Sequence, residues 1–203
     1  MPKLLHFVAK SDPVLREIIP EVHDFNDPLL HEIIEDMCHS IQPEQLKAAN
    51  GAHDSAAGMA ANQWGLRKRI FLFTPEGSGT DKPMEVMINP TYIPYLRDKE
   101  TYPKQTTEFE GCFSIPLTTG LIDRYDAIVA TYYNPKGKKI QRILQGWEAR
   151  VFQHETDHLD GKLYDGELDQ HRGPHCKERI IFKDQLEMMD FWQNSVKPNR
   201  DKR

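Results

Sequence analysis

Gln153-His154-Glu155-Thr156-Asp157-His158-Leu159 holds two histidines four residues apart, a spacing that on a helix puts both imidazoles on one face, one turn apart. Such a pair can share one metal ion, and Glu155 stands at the edge of the same face, within reach of a water on that ion. The flanking residues predict the helix independently. Trp147, Val151, His154 and His158 fall at i, i+4, i+7 and i+11, a single inward stripe. Gly146 suits the entry, and Gly161 suits a stop just past the last turn.

A third ligand decides the chemistry. In one group of zinc proteases the pattern continues with a glycine and a third histidine; Gly161 occupies the glycine place, but the residue three further on is Tyr164. Another group takes a glutamate from a later helix, which makes Glu178 a candidate and a metalloprotease one possible activity. The competing donor lies upstream in Glu110-Gly111-Cys112-Phe113-Ser114, where a cysteine at the end of a predicted strand could turn its thiolate towards the helix. The residues alone leave Glu178 and Cys112 both open.

Composition narrows the class. The 203 residues suffice for one domain with a full core, and the net charge of −5 offers no basic field for nucleic acid, so no direct DNA binding is expected. Three cysteines (Cys38, Cys112 and Cys176) are too few and too odd a set for a disulfide framework, and they fit a reducing compartment. The N-terminus lacks an apolar signal-peptide core, and no run of apolar residues is long enough to span a membrane. The expectation is a cytoplasmic protein without a membrane partner.

Asn26-Asp27-Pro28 starts a helix whose apolar positions Leu30, Ile33, Ile34, Met37 and Ile41 predict residues 27–41, with Cys38 as a small core residue. Residues 42–57 read as a loop, 69–73 and 85–89 as strands, and 97–109 as an exposed hairpin or loop. Residues 121–133 and 139–144 read as paired strands around Asn134-Pro135-Lys136-Gly137. In the tail, His171–Cys176 reads as a solvated linker, and Ile180, Ile181, Leu186, Met189 and Phe191 predict a final helix. Short strands followed by one buried helix give an α+β fold.

Two motifs already quoted, together with Gly58-Met59-Ala60-Ala61-Asn62-Gln63, resemble the peptide deformylases, and all three occur in that family's order. Asp12-Pro13-Val14-Leu15-Arg16 is similar to the family's usual opening. The resemblance covers about residues 5–165, and implies a single domain over 1–203 with that stretch as catalytic core and 166–203 as a variable C-terminal segment. The fold it implies is short antiparallel or mixed sheets around a central metal-binding helix. It makes Cys112, His154 and His158 the ligands, which leaves one open position, the mark of a catalytic site. Glu155 becomes the general base, with the Gln63 amide and the Phe113 backbone N–H as donors to the developing oxyanion. Gly58, Met59, Glu110, Gly111, Trp147 and Arg150 are the expected substrate contacts. The implied reaction is removal of the N-formyl group from the methionine of nascent polypeptides, with release of formate and a transient ribosome contact. One ion per chain is expected: Fe2+ in the cell by the resemblance, with Zn2+, Ni2+ or Co2+ able to replace it. Thiolate and imidazole ligands by themselves suit zinc. The same resemblance admits a deformylase-like protein that binds metal or peptide without useful turnover.

Some positions depart from the common pattern. Ala56 stands where a glycine is usual, Phe113 where leucine is usual, and Thr119 where many members carry an arginine that meets the peptide. Gly146-Trp147 and Ala149-Arg150 are similar instead to the subgroup that includes mitochondrial deformylases. Asp157 is expected to orient a ligand or pair with Arg124.

Overall fold

The structure is a computed structural model and describes residues 1–50, 55–77, 79, 81, 83–97, 101–164 and 176–196. A 3₁₀ turn, Pro13–Arg16, precedes helices α1 (Pro28–Ser40) and α2 (Pro43–Asn50). Strand β1 (Gly58–Ala60) runs into a second 3₁₀ turn, Ala61–Trp64, followed by β2 (Ile70–Phe73), β3 (Glu85–Pro94), β4 (Gln105–Gly111), β5 (Thr118–Tyr125), β6 (Ala127–Tyr133) and β7 (Lys139–Gln145). Helix α3 (Gly146–Leu159) carries the two histidines, and β8 (Cys176–Ile181), α4 (Gln185–Phe191) and a π-helical turn, Trp192–Val196, close the chain.

All pairings are antiparallel, in a five-stranded sheet ordered β1-β2-β3-β6-β7 and a three-stranded sheet ordered β4-β5-β8. Strand β2 shows how two cores arise. Its four residues are all buried, and alternation sends Phe71 and Phe73 to one face and Ile70 and Leu72 to the other. The Phe71 face packs with Ile128, Ala130, Val151, Phe152 and Leu159, so it is covered by α3; the Ile70 face packs with Leu30, Ile34 and Met37 of α1. The sheet is therefore sandwiched, with α3 on the side that faces the smaller sheet. Among the described residues no helix is long and apolar enough to cross a membrane.

The α1 prediction holds to within a residue at each end. The Asp27 carboxylate accepts the Leu29 N–H, and Pro28 occupies the first turn, where its missing N–H costs nothing. Elsewhere local signals misled. Within 42–57, residues 43–50 are helical, seeded by Pro43 and anchored by the buried Leu46, the one large apolar residue of that helix. Most of β4 falls in the stretch read as a loop, because its inward position is Glu110, a buried charge, and no apolar alternation shows. Residues 121–133 divide at Asp126 between two different sheets. Ile180 and Ile181 belong to β8, and only the later apolar residues are helical. His171–His175 and Lys197–Arg203 lie outside the described residues.

Candidate active site

The ligand helix is fixed at both ends. It begins at Gly146, whose φ of 55° turns the chain out of β7. It stops at Gly161, φ 69°, where the N–H groups of Gly161 and Lys162 return to the carbonyls of His158 and Asp157. A Cβ on Gly161 would lie 2.5 Å from the Arg16 carbonyl oxygen, so the N-terminal segment packs directly on this stop. Asn62 and Arg69 bind the last carbonyls: Asn62 Nδ2 donates to His158 O at 2.6 Å and Arg69 Nη1 to Leu159 O at 3.1 Å. Gln153 grips the neighbouring sheet, accepting from Tyr125 N and donating to Tyr125 O. The two histidines thus stand on a helix whose rotation and end point are both set.

Cys112 follows β4 and faces them. Its Sγ lies 3.2 Å from His158 Nε2, the two imidazole centroids are 4.9 Å apart, and the ligand atoms of Cys112, His154 and His158 all lie within 4.8 Å of one another. Tetrahedral bonds to sulfur and nitrogen would set that S···N distance at about 3.6 Å. One thiolate and two imidazoles therefore fit a single ion here. Burial, then the neighbouring His154 and Arg124, hold the His158 imidazole well below its usual range; at His154 burial opposes the charge, but Cys112 and Glu110 overcome it and hold that imidazole well above its own.

Behind the cluster sits a buried charge network centred on Glu110. Arg124 binds both Glu110 oxygens at 2.9 Å, Arg150 adds a bond of 2.6 Å, and His154 Nδ1–H donates to Oε2 at 2.9 Å. Arg124 also pairs with Asp157, as expected, and both side chains are buried. Burial opposes the Glu110 charge most strongly, but Arg124 and His154 overcome it and hold the carboxyl well below the usual carboxylate range. Its bond to Nδ1 selects the His154 tautomer that leaves Nε2 for a metal.

Glu155 is different in kind. It is 4% exposed, its Oε2 has no hydrogen-bond partner among the described residues, and burial pushes its carboxyl up to about 7. Its side chain lies against Gly58, where a Cβ would come within 2.7 Å of Glu155 Cγ. Gln63 reaches in from the 3₁₀ turn after β1. Its Oε1 accepts the Ala60 N–H, while Nε2 points to Ser114 Oγ at 3.1 Å and Cys112 Sγ at 3.6 Å. In front lies a cavity of about 90 Å3 bounded by Ala57, Gly58, Gly111, Phe113, Trp147 and Val151, with Cys112, His154 and Glu155 at its base. Strands β1 and β4 both contribute to its lining, and among the described residues each is paired on one edge only.

Of the expected substrate contacts, Gly58, Glu110, Gly111, Trp147 and Arg150 line this cavity. The Met59 side chain is fully buried in the α1 core, away from the residues that line the cavity. The charged ends of Glu110 and Arg150 are spent on each other, on Arg124 and on the Ile122 and Thr106 carbonyls, so both brace the wall. Trp147 lines the cleft while its N–H donates to Pro75 O at 2.9 Å. Phe113 stacks on Phe7, with ring centroids 5.3 Å apart. Ala56 is buried, and Ala57 is the residue that reaches the cleft. Glu178 lies exposed on β8, paired across to Leu121 and outside the ligand cluster; a strand, not a later helix, carries it, and the third-ligand role in a protease does not fit. Asn62, Arg69, Ser114 and Gln153 were not among the predicted site residues; Asn62, Ser114 and Gln153 stand inside the three motifs, whereas Arg69 carried no local hint.

Known proteins are similar to this chain over most of its length. The family model for polypeptide deformylase matches residues 4–172. Peptide deformylase 1 of Bordetella pertussis is 32% identical over 167 residues, covering 79% of this chain and 86% of its own. The crystal structure of a peptide deformylase from Thermotoga maritima superposes with a TM-score of 0.62 at 31% identity, over 78% of this chain and 93% of that one. A class I type b peptide deformylase of Acinetobacter baumannii, crystallised with Met-Ala-Ser, gives 0.61 at 25% identity over 79% and 96%. With the match running through nearly the whole described catalytic region, the chain belongs to the polypeptide deformylase family.

Proposed function

We propose that this chain removes the N-formyl group from the methionine at the start of nascent peptides, through one metal ion held by Cys112, His154 and His158. The observation that carries the reading is the convergence of these donors with the buried, partner-free Glu155 oxygen at the base of one cleft. A bound ion supplies Lewis acidity and lowers the pKa of a water at its open position. Glu155, poised near neutrality, accepts a proton from the attacking water and passes it to the departing amine, so that formamide and water become amine and formate. The Gln63 amide and the Phe113 N–H are the donors assigned to the developing oxyanion. Glu110, Arg124 and Asp157 act as positioning residues by fixing the His154 tautomer and the face of α3. The two half-paired strand edges suit an extended peptide, whose backbone can bond to β1 on one side and β4 on the other.

The finer assignments belong to the same proposal. We assign Fe2+ as the ion in the cell, with Zn2+, Ni2+ or Co2+ able to fill the same donor set, and the whole chain as one domain. The three free thiols fit the reducing cytoplasm, where nascent chains and a passing ribosome contact would be met. Formate release from formyl-Met-Ala-Ser by anaerobically prepared protein, with metal analysis on the same sample, tests the reading. A loaded centre that releases no formate would reject turnover and leave a metal- or peptide-binding relative.

A further inference from the structure

The residues after the catalytic core fold back onto the site. Strand β8 adds to the edge of β5, the Phe182 N–H bonds to Leu117 O at 2.9 Å, and Asp184 caps α4 by accepting the Glu187 N–H. This places Phe191 and Trp192 along β4. Because Glu110 points inward to α3, alternation turns Phe109 and Gly111 to the opposite face. Phe191 meets Phe109 edge to face, with centroids 5.1 Å apart. Trp192 comes next, with its indole Cζ2 3.4 Å from where a Gly111 Cβ would stand. Thr119, the cross-strand partner of Gly111, is wholly buried on the same face. Gly111 itself is exposed and lines the cleft, and Trp192 is only half-buried.

We propose that Trp192 is a specificity-determining residue, the outer wall against which one of the first side chains after the formylated methionine packs. This rests on the deformylase reading above. A peptide extended along the edge of β4 that is unpaired among the described residues sends alternate side chains to its two faces. On the face of Phe109 and Gly111, the surface at the cleft end is an indole. The class of peptide favoured is one with apolar or aromatic residues following the methionine, because an aromatic face rewards buried apolar area and ring contacts. A Cβ at Gly111 would meet the indole at ordinary contact distance, so Trp192 packs directly over the end of this strand.

Calorimetric titration of nickel-loaded protein with the product peptides Met-Leu-Phe and Met-Ala-Ser tests this without needing turnover. The parent should bind Met-Leu-Phe more tightly. Trp192→Ala should weaken Met-Leu-Phe by about 5- to 10-fold and Met-Ala-Ser by less than about 2-fold, and Trp192→Phe should recover most of the difference. In steady state the same contrast should fall on KM for formyl-Met-Leu-Phe rather than on kcat. Equal weakening of both peptides, or of neither, in protein with full metal content and parental circular dichroism would overturn the assignment. If Trp192→Ala does not fold, loss of the parent's discrimination in Trp192→Gln supports the proposal, and retention of it overturns the proposal. A parent that releases no formate would sink the deformylase reading, while the titrations would still decide the role of Trp192.

Discussion

Gly58→Ala would test whether the position of Glu155 depends on a missing side chain across the cleft. The new methyl would sit 2.7 Å from Glu155 Cγ, 2.8 Å from Oε1 and 2.9 Å from Cδ. Non-bonded carbons rest at about 3.5–4.0 Å, so the carboxylate must retreat by roughly 0.8 Å or more. Overpacking of this kind costs about 1–3 kcal/mol, or roughly 3–9 °C in Tm for a chain of this size. A general base misplaced by about 1 Å loses on the order of 10²-fold in rate. The ligands come from α3 and the end of β4, so metal content should stay at the parental level. Formate release, metal analysis and thermal melts on the same preparation would be compared. In a Glu155→Ala background the clash is gone, and the Tm penalty of Gly58→Ala should largely vanish. A Gly58→Ala protein with kcat within about 3-fold of the parent, or a penalty undiminished in the double variant, would refute the coupling.

Glu155→Gln keeps the shape of the side chain but cannot accept a proton, so kcat should fall by at least about 10²-fold with metal retained; loss of the metal would make Glu155 a ligand instead. Cys112→Ser should weaken metal retention, while Glu178→Gln should leave it unchanged; the opposite pattern would restore the protease reading. Glu110→Gln strips the shared partner of Arg124, Arg150 and His154, with an expected cost of about 3–5 kcal/mol and about 10- to 100-fold in metal affinity. The acid limb follows from the depressed Glu110 value: its stabilisation is present above the unfolded carboxylate pKa of about 4.3 and is lost as pH falls through the lower folded value. Metal-free protein should therefore lose Tm progressively below about pH 4, and Glu110→Gln should melt with a shallower acid limb; parallel curves would contradict this.

The metal helix was legible because its chemistry and its period coincide in seven consecutive residues. Helix α1 was legible through its cap and stripe. What stayed hidden was encoded across long separations or in polar residues. Glu110 meets Arg124, Arg150 and His154 at sequence distances of 14 to 44, and no local pattern announces a carboxylate that supports a histidine rather than a substrate. For the same reason β4 looked like a loop, since a strand whose inward residue is charged shows no apolar alternation. The short α2 rests on one buried leucine, too little for a stripe. The tail misled in the opposite sense, because apolar residues shared between a strand and a helix imitated one continuous helix.

An unpaired strand edge is ordinarily a hazard, since it will template pairing with any exposed strand, including a copy of itself. Among the described residues this fold keeps two such edges open and contains the risk by geometry. Strand β1 is three residues long and buried throughout, so no neighbouring sheet can dock on it. The end of β4 at Gly111 lines the same cleft as Gly58 of β1. A cleft flanked by two short edges has room for one extended strand rather than a sheet, so a feature that elsewhere invites aggregation is here available to a peptide.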